Sequence, residues 1–355
     1  MPPNESSASP VVLEDRHARP LRDLRISVTD KCNFRCPYCM PAEIFGEKYP
    51  FLAREEVLTF EEVARLVRLF VRFGVEKLRI TGGEPLLRHG LQYLIARLKQ
   101  VGEDAGVELD LAMTTNGSLL PRWAREMKQA GLDRVTVSLD SLDPDVFHRM
   151  NGERFSVDRV LEGIAAAEDA GLGPIKVNCV VQKGVNDDGL VDLARHFHGT
   201  GHILRFIEFM DVGTLNDWKM DEVVTGKQII ERIAAELPLE PADANYRGEV
   251  ASRWRYADGG GEIGVITSVS SPFCGDCTRA RLTVEGQLVT CLFADGGIDL
   301  REPMRSGKDD ETLRQLIAST WTNRTDRYSE QRSGLLQIDG TTPKRDRVEM
   351  YHIGG

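Results

Sequence analysis

Six of the seven cysteines in this 355-residue chain fall into two triplets. Cys32, Cys36 and Cys39 lie within eight residues, in the run Cys32-Asn33-Phe34-Arg35-Cys36-Pro37-Tyr38-Cys39. Cys274, Cys277 and Cys291 form the second set, spaced C-x2-C-x13-C. A 4Fe–4S cluster normally takes four thiolates, one per iron, so three thiolates leave one iron for an exogenous ligand. An open coordination position is what separates a reactive metal centre from a structural one. The spacing therefore points to two iron–sulfur clusters, each with a vacancy. Zinc and uncoordinated core thiols are the competing readings, and a structural zinc would want a fourth Cys or His. The histidines are all far from the second triplet in sequence. The seventh thiol, Cys179, sits in the apolar run 177–181 and reads as a buried core residue.

A second group of residues could bind an anion. Arg279 and Arg281 follow Cys277 directly, and strand alternation would put both guanidiniums on one face. Two such groups make a fork for phosphate or carboxylate. Arg25, Lys77, Arg79, Lys176 and Arg205 all fall on predicted strands, and Lys77 and Arg79 share a face. Inward residues of a parallel barrel converge on its lumen. Several cations there would need a compensating anion, and a triphosphate would supply one.

These residues need a scaffold, and the hydrophobic pattern describes one. Strands are predicted at 22–29, 76–81, 108–114, 134–139, 175–181 and 203–209, with helices at 59–73, 90–101, 121–130, 157–170 and 187–198 between them. Thr59 followed by Glu62 is a capping-box signature, and Gly171 closes the fourth helix. Six alternating units imply right-handed βαβ crossovers and a parallel sheet. The expected fold is α/β, an incomplete (βα)6 TIM-like barrel. After about 211 the rhythm breaks. A helix at 225–236 is followed by short strands at 252–256, 264–269, 281–284 and 288–292, then a helix at 309–321. The expected organisation is a disordered tail over 1–17, the barrel over 18–222, and a C-terminal auxiliary-cluster and substrate-binding region over 223–355.

The net charge of −10 and pI near 5.4 argue against a general nucleic-acid or membrane surface. No apolar run approaches the ~20 residues of a membrane-spanning helix. No basic segment followed by an apolar stretch marks a secretory leader, so a cytoplasmic location is expected.

The first triplet, with Tyr38 before its last cysteine, resembles the signature of the radical S-adenosylmethionine (SAM) superfamily. Gly82-Gly83-Glu84-Pro85, at the end of the second strand, looks like that superfamily's second motif. Over about 20–355 the chain further resembles the GTP 3′,8-cyclase family of molybdenum cofactor biosynthesis. The likeness is carried by 23–30 (DLRISVTD), 79–86 (RITGGEPL), 114–117 (TTNG), 205–213 (RFIEFMDVG), 277–282 (CTRARL) and the terminal Gly354-Gly355. The resemblance implies a radical SAM barrel with a C-terminal auxiliary-cluster extension. It implies a lyase that uses a 5′-deoxyadenosyl radical to abstract the 3′ hydrogen of GTP and yields (8S)-3′,8-cyclo-7,8-dihydroguanosine 5′-triphosphate. The implied cofactors are two 4Fe–4S clusters and SAM. Cys32, Cys36 and Cys39 would hold the SAM cluster, and Cys274, Cys277 and Cys291 the auxiliary one. Tyr38, Gly83, Ser138 and Met210 would contact SAM. Arg25, Lys77, Arg79, Thr114, Lys176, Arg205, Arg279 and Arg281 would bind GTP, with Arg279, Arg281, Gly354 and Gly355 as the catalytic set. Implied partners are an electron donor, a second copy in a homodimer, and cyclic pyranopterin monophosphate synthase as recipient of the product.

Overall fold

The computed structural model describes residues 11–152, 154–332 and 347–354. Six strands pair in parallel and in chain order: β1 (Asp23–Ser27), β2 (Lys77–Thr81), β3 (Asp110–Thr115), β4 (Arg134–Ser138), β5 (Lys176–Val181) and β6 (Ile203–Glu208). Between them run α1 (Phe60–Arg72), α2 (Leu91–Ala105), α3 (Leu120–Gln129), α4 (Pro144–Asn151), α5 (Val157–Asp169) and α6 (Leu190–Phe197). This is the expected (βα)6 arrangement. Alternate strand residues Leu24, Ile26, Leu78 and Ile80 join Leu66, Phe70, Leu94 and Leu98 of the helices in one apolar core. The residues between them, Arg25, Lys77 and Arg79, line a central cavity. The period-2 geometry of strands thus separates a dry outer layer from a charged inner one.

The strands after β6 enlarge this same sheet. β10 (Arg279–Leu282) pairs in parallel with β1, and β9 (Glu262–Ile266) in parallel with β6. Antiparallel hairpins finish both sides: β11 (Gln287–Val289) and β12 (Ile298–Asp299) beyond β10, β8 (Ser252–Tyr256) and β7 (Leu239–Ala242) beyond β9. The order is β12-β11-β10-β1-β2-β3-β4-β5-β6-β9-β8-β7. β12 and β7 do not meet, so the barrel is incomplete.

Three local expectations are corrected. The strand placed at 281–284 begins instead at Arg279, because pairing with β1 extends it, and the Arg22 and Asp23 amides donate to the Thr278 carbonyl. Helix α4 went unseen; its markers are Asp143, which caps Asp145 and Val146 at 2.9 Å each, and Pro144 in the first turn. The disordered tail expected over 1–17 does not extend through 11–17. The Val11 amide bonds to Arg72, and the Asp15 carboxylate is buried against Arg19 at 2.6 Å and Arg324 at 3.3 Å. Buried charge needs partners, and this segment supplies them. Gly355 and most of 331–347 lie outside the described residues.

Helix α1 shows why the first crossover sits where it does. Thr59 accepts from the Glu62 amide at 3.2 Å, and Glu62 accepts from the Thr59 amide at 2.7 Å, the reciprocal cap anticipated from sequence. Val63, Leu66, Val67 and Phe70 then face the sheet. Thr59→Ala should lower unfolding free energy by about 1 kcal/mol in denaturant titration, leaving metal content unchanged.

Candidate active site

Three cavities adjoin one another and share lining residues. The first is lined by Cys32, Cys36 and Cys39 together with Tyr38, Gly83 and Ser138. The middle one is lined by Arg25, Lys77, Arg79, Lys176, Arg205, Arg279 and Arg281. The last is lined by Cys274, Cys277 and Cys291. Thr114, Asn178 and Met350 are shared by the first and middle cavities; Phe273, Arg279, Arg281 and Leu292 by the middle and last. Of the four expected SAM contacts, Met210 alone lines the middle cavity rather than the first.

The first triplet is held by neighbouring loops. The Cys39 amide donates to the Cys36 carbonyl at 2.9 Å, and Arg35 donates to the Cys32 carbonyl at 2.7 Å and the Phe45 carbonyl at 2.7 Å. The glycine-rich loop is stitched to the residues just ahead of the thiols, with Gly83 N donating to Thr29 O at 2.7 Å and Glu84 N to Lys31 O at 2.8 Å. A β-carbon on Gly83 would collide with the Lys31 backbone, and Gly82 combines φ of 145° with the Thr29 carbonyl close by. The glycines are therefore required by contact between two protein loops, a closer constraint than ligand approach alone. Buried Glu84 binds the next loop: it accepts from Thr115 Oγ1 at 2.9 Å and the Asn116 amide at 2.8 Å, and burial pushes its carboxyl up to about 7. Asn116 in turn reaches Cys32 Sγ at 3.9 Å. Burial and the nearby Glu84 raise the Cys32 thiol to about 11, and Cys36 rises well above its ordinary value for the same first reason. Buried thiols become favourable thiolates only where positive charge such as iron is supplied.

All six thiols of the triplets are free of disulfides. No three His, Cys, Asp or Glu side chains among the described residues are grouped as a single metal ion requires. Each triplet instead borders a cavity, which suits a cluster of several atoms better than one ion. Cys179 is buried in the core, where its Sγ approaches the Asp140 carbonyl at 3.5 Å. The neighbouring Asp140 carboxylate accepts from Tyr38 at 2.7 Å and so fixes that ring at the first cavity.

The middle cavity is a concentration of positive charge, with Arg279 and Arg281 buried and Arg25, Lys77, Arg79, Lys176 and Arg205 part-buried along its wall. Register places Arg281, Arg25 and Arg79 in one row across β10, β1 and β2. Burial, then Arg281, Arg79 and Arg279, hold the Arg25 guanidinium well below its usual value. Burial, then Arg205 and Arg134, bring Lys176 down to about 8. Arg281 is buried, and its Nε has no hydrogen-bond partner among the described residues. Removing such groups from water costs several kcal/mol per ion unless counter-charge arrives. Two side chains that the sequence did not single out aim these cations. Thr136 and Thr114 both accept from Arg79 Nη1 at 3.1 Å, and Asn178 Oδ1 accepts from Arg205 at 3.0 and 2.7 Å. A β-carbon on Gly264 would crowd the Arg205 stem at 3.1 Å, so glycine there leaves room for it. Tyr246 was also missed; its ring centroid lies 3.3 Å from Lys77 Nζ at the cavity. Its loop carries no regular pattern that would have flagged it.

The C-terminal helix Met350–Ile353 borders the first and middle cavities through Met350. Tyr351 meets Tyr49 (OH to OH, 3.1 Å), and Glu349 accepts from Thr214. Gly354, with φ of 63°, packs so tightly on Thr81 that a β-carbon would overlap it. This puts Gly354 beside the first cavity, which Thr81 lines.

Comparison with known proteins agrees with this layout. Residues 26–197 match the radical SAM superfamily and 202–330 the family described as Molybdenum Cofactor Synthesis C. The GTP 3′,8-cyclase of Xanthomonas axonopodis pv. citri is 53% identical over 344 residues, covering 97% of this chain and 99% of that protein. The GTP 3′,8-cyclase of Acidothermus cellulolyticus is 50% identical over 97% of this chain, and that of Staphylococcus aureus (strain Mu3) 44% over 97%. The solved structure of Streptococcus suis SuiB bound to S-adenosylmethionine shares the fold at TM-score 0.56 and 12% identity, over 87% of this chain and 65% of that one.

The lowered proton affinity of Lys176 predicts a pH-dependent affinity for an anion placed in this cavity. In the free protein it loses its proton near pH 8, whereas a bound polyanion restores its charged form toward the ordinary value. Binding above pH 8 therefore takes up a proton, and affinity falls as pH rises, by at most about tenfold per unit from this group. Calorimetry with inorganic triphosphate should show a steeper decline above pH 8 for wild type than for Lys176→Met. Parallel profiles for the two proteins would place Lys176 away from the anion.

Proposed function

The chain belongs to the GTP 3′,8-cyclase family of radical SAM enzymes, and from that premise we propose which of its residues carry each part of the reaction. The reaction converts GTP to (8S)-3′,8-cyclo-7,8-dihydroguanosine 5′-triphosphate, the first step of molybdenum cofactor biosynthesis. It uses SAM and iron–sulfur clusters. The observation that carries the residue assignment is the set of cations lining the cavity between two thiol-lined cavities.

Cys32, Cys36 and Cys39 hold the SAM cluster, with Tyr38, Gly83 and Ser138 around the bound SAM and Met210 at the boundary with the substrate. When bound, the cluster and SAM supply the 5′-deoxyadenosyl radical that takes the 3′ hydrogen of GTP. Cys274, Cys277 and Cys291 would hold the auxiliary cluster, which would supply a Lewis-acidic position for the guanine end. Arg25, Arg79, Lys176 and Arg205, with Lys77 and Thr114, bind the nucleotide between the two. Their charges neutralise the triphosphate in a cavity where water is scarce, and the fixed guanidiniums hold the ribose near the radical source. Arg279 and Arg281 stand where the substrate and auxiliary cavities merge, so they serve the reacting nucleoside as well as its charge. Gly354 packs against Thr81 at the first cavity, and bulk there would displace that side chain; the role of Gly355, outside the described residues, rests on the family resemblance alone.

In this reading 18–222 form the radical SAM unit, and 223–355 complete its sheet with the auxiliary-cluster region. No helix among the described residues is long and apolar enough to cross a membrane. A cytoplasmic homodimer is proposed, reduced by an electron donor and handing its product to cyclic pyranopterin monophosphate synthase.

The test is anaerobic turnover. GTP, SAM and a reductant should give 5′-deoxyadenosine and the cyclised triphosphate in step, from protein carrying about eight irons. Zinc without sulfide, or deoxyadenosine formation indifferent to GTP, would overturn the assignment. Arg279→Ala should depress product formation at least tenfold with SAM binding retained. Equal loss of both would remove Arg279 from the substrate site.

A further inference from the structure

The second thiol triplet rests on a buried ionic support that no part of the substrate site explains. Arg324 follows the helix Asp310–Thr322, and its side chain is 1% exposed. One end of its guanidinium donates to the Cys277 carbonyl at 2.8 Å, and the other reaches Cys277 Sγ at 3.2 Å. It stacks 4.6 Å from the Trp321 ring centroid. Arg19, fully buried, donates to the Cys274 carbonyl and the Asp326 carbonyl at 2.8 Å each. Asp15, also buried, bridges the two arginines, and the Trp321 indole donates to the Arg19 carbonyl at 3.1 Å. The residues come from opposite ends of the chain, so this is a built contact and no accident of local sequence.

We propose that Arg324 is a positioning residue for the auxiliary cluster: its N–H···Sγ bond to Cys277 fixes that ligand and sets the cluster's reduction potential, while Asp15 and Arg19 hold it in place. The inference rests on the reading that Cys274, Cys277 and Cys291 hold a cluster. A cation donating to a ligating sulfur draws electron density from it and stabilises the reduced cluster, so it raises the potential. A charge-assisted bond in a buried site loses little to solvent. The arrangement distinguishes the two triplets. Cys277 has a guanidinium at its sulfur, whereas the sulfur contacts at Cys32 are the Phe34 amide and Asn116, both neutral. Asp15 carries the opposite charge to Arg324, so it moderates the same effect. The support also gives residues 11–22 a function: the segment that opens the described chain braces a site otherwise built from its last third.

The experiment is an EPR-monitored redox titration of the anaerobically reconstituted full-length protein, with iron and sulfide analysis. Wild type carrying about eight irons and two separable signals confirms the premise; about four irons would remove the premise itself and leave no second cluster to tune. Arg324→Gln should lower the potential of the auxiliary signal, leave the first signal and SAM binding unmoved, and be partly restored by Arg324→Lys. Asp15→Asn should shift the auxiliary signal the opposite way and by less. Loss of the second cluster alone in Arg324→Gln, with assembly regained in Arg324→Lys, also supports the positioning role. Full occupancy with an unchanged auxiliary potential in Arg324→Gln overturns the proposal. So does a shift of the same sign in Asp15→Asn, which would indicate general loosening.

Discussion

The parallel pairing of β10 with β1 is the contact on which the site depends. It sets Arg279 opposite Asp23 and Arg281 opposite Arg25. β1 leads directly into the first thiol loop, and β10 begins two residues after Cys277. A single strand pair therefore aligns both triplets with the cations between them. Asp23 reinforces the join by accepting from Thr278 Oγ1 at 2.5 Å. Because side chains alternate along a strand, a slip of one residue would turn Arg279 and Arg281 out of the cavity.

The same pairing creates an electrostatic debt. Burial first depresses the proton affinity of Arg25, Arg79 and Arg281, and like charge adds to it: Arg281, Arg79 and Arg279 at Arg25, Arg134 at Arg79, and Arg279 at Arg281. The fold tolerates it because the apolar layer behind β1 and β2 stabilises the barrel independently of the cavity. Threonine, asparagine and glycine neighbours hold the guanidiniums in place without neutralising them. Such a site is poised for a polyanion: ligand binding relieves a cost already present in the free protein.

Much of this was legible in the chain itself. Six alternating strand and helix patterns foretold the barrel, and the Thr59–Glu62 cap appeared as its spacing promised, since both signals arise from contacts a few residues long. The first triplet stands out in the sequence because its spacing lies within one loop, whereas two strands, β10 and β11, separate Cys277 from Cys291. The strand carrying Arg279 was misplaced by two residues because its start is set by Asp23, some 250 residues away in sequence. The segment 11–17 was read together with the Pro-, Ser- and charge-rich residues before it, and Arg19 and Arg324 give Asp15 a reason to be buried.

By itself, the sequence determined the chemistry available: two sets of three thiols, a glycine-rich loop, and seven cations on strands. These are properties of residue type and short spacing, and tertiary structure could not add to them. Only the folded chain decided that the two triplets line cavities adjoining a common middle one and that the cations stand there. It also decided that Thr136, Asn178 and Tyr246 orient those cations, and that Arg324 meets Cys277. Those outcomes follow from pairing between distant strands and from the demand of buried charge for partners, and neither leaves a periodic mark in the sequence.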